Sequence, residues 1–237
     1  MDDPLLHQRR LAEEARDAHL RWLLTALDVD CVVDVGANRG QFGQALRTLG
    51  FTGRIASLEP AAAPRRELGV AAAADPDWHV WPCALGEADG TAVLHAVDDE
   101  PELGSLLPAS DFGLGWKDVM GRTREERVDV RRLDGLWEEV SGGSRRTLLK
   151  LDTQGYDLHA FAGAGALVTD PDGPVVALLS EVSLVPIYDG MPPMAEQLAA
   201  YEAAGWGLAG LHPVSFDRAS LRVIELDALL VRDPDAG

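Results

Sequence analysis

The chain has 237 residues, 46% hydrophobic and 25% charged, enough apolar content to bury one core without disulfide or metal staples. Lysine and arginine number 21 against 39 acids, a formal charge of −18 that repels phosphate backbones and anionic membrane surfaces. The composition therefore argues against nucleic-acid and membrane partners and leaves small, uncharged or cationic molecules.

No apolar run approaches the ~18 residues of a membrane span, and the start MDDPLLHQRR lacks the basic-then-apolar order of a leader. Cys31 and Cys83 sit in apolar runs and read as reduced core thiols. Together these lead us to expect a cytoplasmic protein.

In chain order, the apolar spacing from about Pro4 to Leu27 predicts an amphipathic helix, with Asp3 as N-cap and Pro4 at the first helical position. Cys31–Val35 is a short β-branched run ending at Gly36, as a buried parallel strand would. A helix over 41–49, a strand over 54–59 and a helix over 61–74 follow. Strands are expected over 78–85 and 91–97. Residues 98–126 lose periodicity and carry several Pro and Gly residues, which suggests a lid or substrate-facing insertion. Beyond it come strand 127–132, helix 133–140, strand 147–151, helix 156–167, strand 175–181, helix 193–204, and strands 206–211 and 222–231. The turn-rich segment 212–220 joins the last two strands as an antiparallel pair.

Alternating strands and helices imply right-handed βαβ crossovers. The fold class is α/β: a Rossmann-like, mainly parallel sheet with helices on both faces and an antiparallel C-terminal edge. The expected organisation is a helical extension over 1–29 and one domain over 30–237.

In such sheets ligands sit at the carboxyl ends of the strands, near the point where strand order reverses. The first strand end reads Asp34-Val-Gly36-Ala-Asn38-Arg-Gly40. Gly36 and Gly40 let backbone approach a ligand, but Asn38 takes the place of the middle glycine of a dinucleotide fingerprint, and its third glycine is missing. The loop suits a compact carboxylate instead, with Asp34 meeting an ammonium directly or through water. Glu59, ending the next strand about 20 residues on, suits the two hydroxyls of a ribose. An amino-acid end plus a ribose describes S-adenosylmethionine.

The stretches VVDVGANRGQFG (Val32–Gly43), SLEP (Ser57–Pro60), ALGEADGTAVLH (Ala84–His95), VRRLDGLW (Val130–Trp137), LLKLDTQGYDLHAFAGA (Leu148–Ala164) and SEVSLVPIYDG (Ser180–Gly190) resemble the FkbM-like family of S-adenosylmethionine-dependent methyltransferases. The resemblance spans about Cys31 to Arg232. It implies a class I methyltransferase fold with seven strands, the last antiparallel, and methyl transfer to a hydroxyl of a sugar or other natural product. Cofactor contacts are then expected from Asp34, Gly36, Asn38, Gly40, Glu59, Pro60, Ala84 and Asp152. Family members often carry an acid where this chain has Gln154.

An alcohol is a poor nucleophile, so a base or a metal should take or weaken its proton. Asp152 and Glu181 end neighbouring strands on the family's topology and are candidates for catalysis, or for holding a divalent cation such as magnesium. His212, placed after its strand, is a further candidate base, and Asp152 could alternatively face the methionine amino group. Tyr188 and Trp116 could cover an apolar acceptor. The expected activity is O-methylation of a small hydroxylated acceptor. N-methylation, a catalytically silent cofactor-binding module, and the oligomeric state, a homodimer included, stay open.

Overall fold

A computed structural model describes residues 4–232; the expected N-cap Asp3 lies outside the described residues. The elements run α1 (Pro4–Ala26), β1 (Cys31–Val35), α2 (Gln41–Thr48), β2 (Arg54–Leu58), α3 (Ala62–Ala72), β3 (Trp78–Trp81), β4 (Ala84–Leu85) and β5 (Gly90–Val97). Then come α4 (Asp111–Trp116), β6 (Thr123–Arg131), α5 (Leu133–Ser141), β7 (Thr147–Leu151), α6 (Asp157–Gly163) and α7 (Ala166–Thr169). β8 (Val175–Ser183), α8 (Met194–Ala203), β9 (Trp206–Asp217) and β10 (Arg222–Arg232) complete the chain.

Seven strands form one sheet in the order β3-β2-β1-β7-β8-β10-β9. The first five are parallel, and β10 pairs antiparallel with both β8 and β9. Strand order reverses between β1 and β7, so the carboxyl ends of those two strands flank the crevice where such sheets bind ligands. β1 and β7 are buried along their whole length, which their unbroken CVV and TLL runs require.

One face of the sheet packs under α5, α6 and α8 through Val33, Val35, Leu149, Leu151, Leu178 and Tyr201. The other face buries Leu20, Leu23 and Leu24 of α1 against Val32, Leu148, Leu179 and Leu229. Burying each such leucine contributes about 1.5–3 kcal/mol. The C-terminal half of α1 is thus fixed to the core, while Leu6 and Leu11 near its start stay exposed.

Four expectations change. The run 78–85 breaks at Pro82, and Ala84–Leu85 instead joins β5 and β6 in a separate three-stranded sheet ordered β4-β6-β5. The run 156–167 is two helices, because Gly165 takes φ 51° and ψ −129°, which ends one helix and starts the next. The segment 212–220 is mostly strand, since β9 continues through Asp217. The aperiodic stretch is shorter than 98–126, because β6 begins at Thr123. It folds through short helical turns that bury Leu103, Val119 and Met120 against Ile187 and Tyr188. Both cysteines are buried and unpaired, with burial raising each thiol to about 11.

Candidate functional site

Side chains alternate along a strand, so the face that packs on α1 continues toward the carboxyl ends as Asp34, Lys150, Asp152, Glu181, Asp227 and Glu225. Apolar residues fill this face beneath the helix and charged ones, mostly buried, occupy its carboxyl end. There a cavity of about 320 Å³ opens, within the range of roughly 300–1,000 Å³ usual for small-molecule sites. Gly36, Asn38, Glu59, Pro60, Ala84, Asp152 and Glu181 all line it. So do Leu103, Ser105 and Lys117 of the segment after β5, which makes that segment one wall of the cavity.

The loop after β1 is shaped by contacts inside the protein. Gly36 has φ 75°, and a Cβ there would lie 1.9 Å from the Asp152 carbonyl oxygen. Gly40 has φ 87° and caps α2, with a Cβ position 2.9 Å from Leu68 and 3.1 Å from Trp78. Gly40 therefore serves helix packing and is not among the cavity-lining residues. Asn38 also takes a positive φ, 48°, which turns its backbone N–H to Glu59 Oε2 at 2.8 Å. The Ala61 N–H donates to Glu59 Oε1 at 2.7 Å. Burial dominates these bonds and raises the Glu59 carboxyl to about 7.

Asp34 does not reach the cavity. It is fully buried, 3.0 Å from Lys150 Nζ, with the Ser57 hydroxyl at 3.3 Å. Lys150 Nζ also lies 3.2 Å from Asp152 and 3.5 Å from the Gly36 carbonyl oxygen. Burial opposes the Lys150 charge, but Asp152 and Asp34 outweigh it and hold the ammonium above the ordinary lysine range. The expected direct contact of Asp34 with a ligand is thus replaced by an internal ion pair. Lys150 joins the first strand end to the fourth.

Asp152 and Glu181 do meet in the cavity, and Gln154 stands between them. Its amide Nε2 donates to Glu181 Oε2 at 2.7 Å and Asp152 Oδ1 at 3.1 Å. The Tyr188 hydroxyl, 2.9 Å from Gln154 Oε1 and 2.8 Å from the Leu103 carbonyl oxygen, fixes the amide from behind. Tyr188 is buried and holds Gln154 rather than covering an acceptor. Trp116 packs beside the same apolar cluster and is absent from the cavity lining. Burial, and then the nearby Glu225 and Asp152 charges, push the Glu181 carboxyl well above the ordinary range.

One expectation is corrected here: His212 does not reach the cavity. His212 lies within β9, and its Nε2 is 3.3 Å from His19 Nδ1 of α1, outside the cavity lining. The amide nitrogen of Gln154 occupies the space between Asp152 and Glu181. Among the described residues, no group of three or more His, Cys, Asp or Glu side chains converges to hold a metal.

Lys150 and Gln154 were legible only as motif letters, and their roles needed the strand pairing. Glu225 gave a faint signal through its period-two spacing from Asp227; its nearness to Glu181 comes from β10 returning antiparallel beside β8.

The model of the methyltransferase FkbM domain matches residues 34–201. The chain belongs to the FkbM methyltransferase family. The match contains the Gly36 loop, Glu59, Asp152 and Glu181 and stops before β9 and β10. No curated protein matches the chain. Among solved structures it is similar to a Burkholderia thailandensis 1,6-didemethyltoxoflavin N1-methyltransferase, with 15% identity, TM-score 0.46, and coverage of 97% of this chain and 81% of that one. It is also similar to Aeropyrum pernix fibrillarin, with 10% identity, TM-score 0.44, and coverage of 91% and 74%. No helix among the described residues of this FkbM methyltransferase is long and apolar enough to cross a membrane.

Proposed function

We propose that this FkbM methyltransferase transfers a methyl group from S-adenosylmethionine to a hydroxyl of a small natural product or sugar. One observation carries the reading: Glu59 and the Gly36–Asn38 loop line the same cavity as Asp152 and Glu181. The residues fit the cofactor. Each Glu59 oxygen accepts one backbone N–H and keeps lone-pair capacity for a ribose hydroxyl. Asn38 Oδ1 is buried without a partner, an acceptor left for a donor on the ligand. Pro60 and Ala84 supply apolar wall. When bound, S-adenosylmethionine supplies a methyl group on an already activated sulfonium.

The protein's remaining task is positioning and proton removal. Glu181 is the proton acceptor in this reading: burial raises its proton affinity, which favours taking a proton from the acceptor hydroxyl. Gln154 orients it, while Lys150 fixes Asp152 and the glycine loop in one frame. The charge of −18 fits a small acceptor and disfavours a polyanion.

The test is turnover with isotope-labelled methyl donor and a panel of alcohols alongside their methyl ethers. The reading expects labelled methoxy product from the alcohols alone, and an acid limb in kcat/KM above the ordinary glutamate range that Glu181→Gln removes. Label found only on nitrogen, or an unchanged limb in the variant, would contradict it.

A further inference from the structure

The cavity has a second polar end that methyl transfer leaves unused. On β10, Asp227 pairs with Glu181 and Glu225 pairs with Ser183, which makes Glu225 the diagonal neighbour of Glu181 on one face. Glu225 is 5% exposed and lines the cavity. Its Oε2 accepts the Ser215 hydroxyl at 2.6 Å, whereas its Oε1 is buried without a partner.

The nearby cations are committed elsewhere. Lys117 is 2.7 Å from Glu100, Lys150 pairs with Asp34 and Asp152, and Arg16 pairs with Asp17 and Asp227. Among the described residues, no cation lies within ion-pair distance of Glu181 or Glu225. A buried carboxylate oxygen without a donor is costly, and folded proteins almost always satisfy such atoms. Because Glu225 lines the cavity, a ligand there can supply that donor.

We propose that Glu225 Oε1 receives a protonated amine on the acceptor, so that the substrates are hydroxylated amines such as amino sugars or amino alcohols. This rests on the reading of the cavity as the acceptor site and names its substrate class. A neutral hydroxyl would offer one donor and bring no charge to favour ionisation of the neighbouring buried acids Glu181 and Glu225. An ammonium brings three donors and the missing charge. Its charge would also favour the ionised form of the adjacent Glu181, the form a base requires. A bound cation is the weaker fit, because the Gln154 amide already occupies Glu181 Oε2.

The experiment measures dissociation constants of matched pairs by ligand-observed NMR on the full chain, with and without S-adenosylhomocysteine. The probes are glucosamine and aminocyclohexanol, each beside its N-acetyl form. The amines should bind tighter by about tenfold or more, the difference between a charged and a neutral hydrogen bond, and Glu225→Gln should abolish that preference. Several results would overturn the proposal: equal affinities, no amine binding, a preference that survives in the variant, or magnesium stabilising the wild type and not the variant. S-adenosylhomocysteine titrated into the same wild-type sample scores the cofactor reading separately. Its binding without amine preference sinks only this proposal, and amine preference without its binding sinks only the cofactor.

Discussion

Gln154 Nε2 donates to Glu181 Oε2 at 2.7 Å, so an amide rather than a carboxylate holds the candidate base. Replacing it by Gln154→Glu sets a third carboxyl against Asp152 and Glu181. The variant should lose about 1–3 kcal/mol at pH 8 and recover much of it with millimolar magnesium, since three convergent carboxylates make a cation site. Wild-type melting should respond to neither magnesium nor EDTA. Thermal denaturation of both proteins decides the matter; a magnesium-stabilised wild type would contradict the amide's proposed role.

Lys150 is the only described cation within ion-pair distance of fully buried Asp34. Lys150→Met should therefore cost about 3–5 kcal/mol, the penalty of stranding a buried charge. Adding Asp34→Asn should restore part of that loss, because no charge then remains unpaired. Urea unfolding of the two single variants and the double variant measures the coupling. Additive losses would mean that the pair is not a unit.

Stability should rise as pH is lowered from 8 to about 6.5. Glu59, Asp157 and Glu225 sit at about 7 in the fold, raised chiefly by burial, above the carboxylate values of the unfolded chain. The folded state thus binds more protons in this window, and unfolding free energy falls as pH rises through it. His212 works oppositely below about 6.5, because burial, His19 and Arg16 lower its proton affinity. Asp75 and Asp134, held low by Arg47 and Arg132, contribute only under more acidic conditions. Melting temperature against pH should show a rise of several degrees, and Glu225→Gln should flatten it. A curve that falls from pH 8 to 6.5 would contradict the buried-acid account.

The strand ends were legible because buried parallel strands advertise themselves as β-branched runs: Cys31–Val35 and Thr147–Leu151 match the structure residue for residue. That placed Glu59, Asp152 and Glu181 at the cavity. The mistaken positions share a cause. Asp34 and Gly40 sit in the right motif, but their ligands are Lys150 and the Leu68–Trp78 packing, which only strand pairing reveals. Pro213 after His212 suggests a turn there, yet β9 is an edge strand, where a proline's missing N–H is tolerated. The roles of Gln154, Tyr188 and Glu225 carry little local signal, because the contacts that define them, Gln154 to Glu181, Tyr188 to Gln154 and Glu225 beside Glu181, join segments 27 residues or more apart.

The central claim is that the cavity between Glu59 and Glu181 holds S-adenosylmethionine. Calorimetric titration of the intact protein with S-adenosylhomocysteine tests it most directly. The account predicts one site in the micromolar range, weakened about tenfold or more by Glu59→Ala through loss of charged hydrogen bonds. No binding to the folded wild type, or binding that Glu59→Ala leaves unchanged, would contradict it.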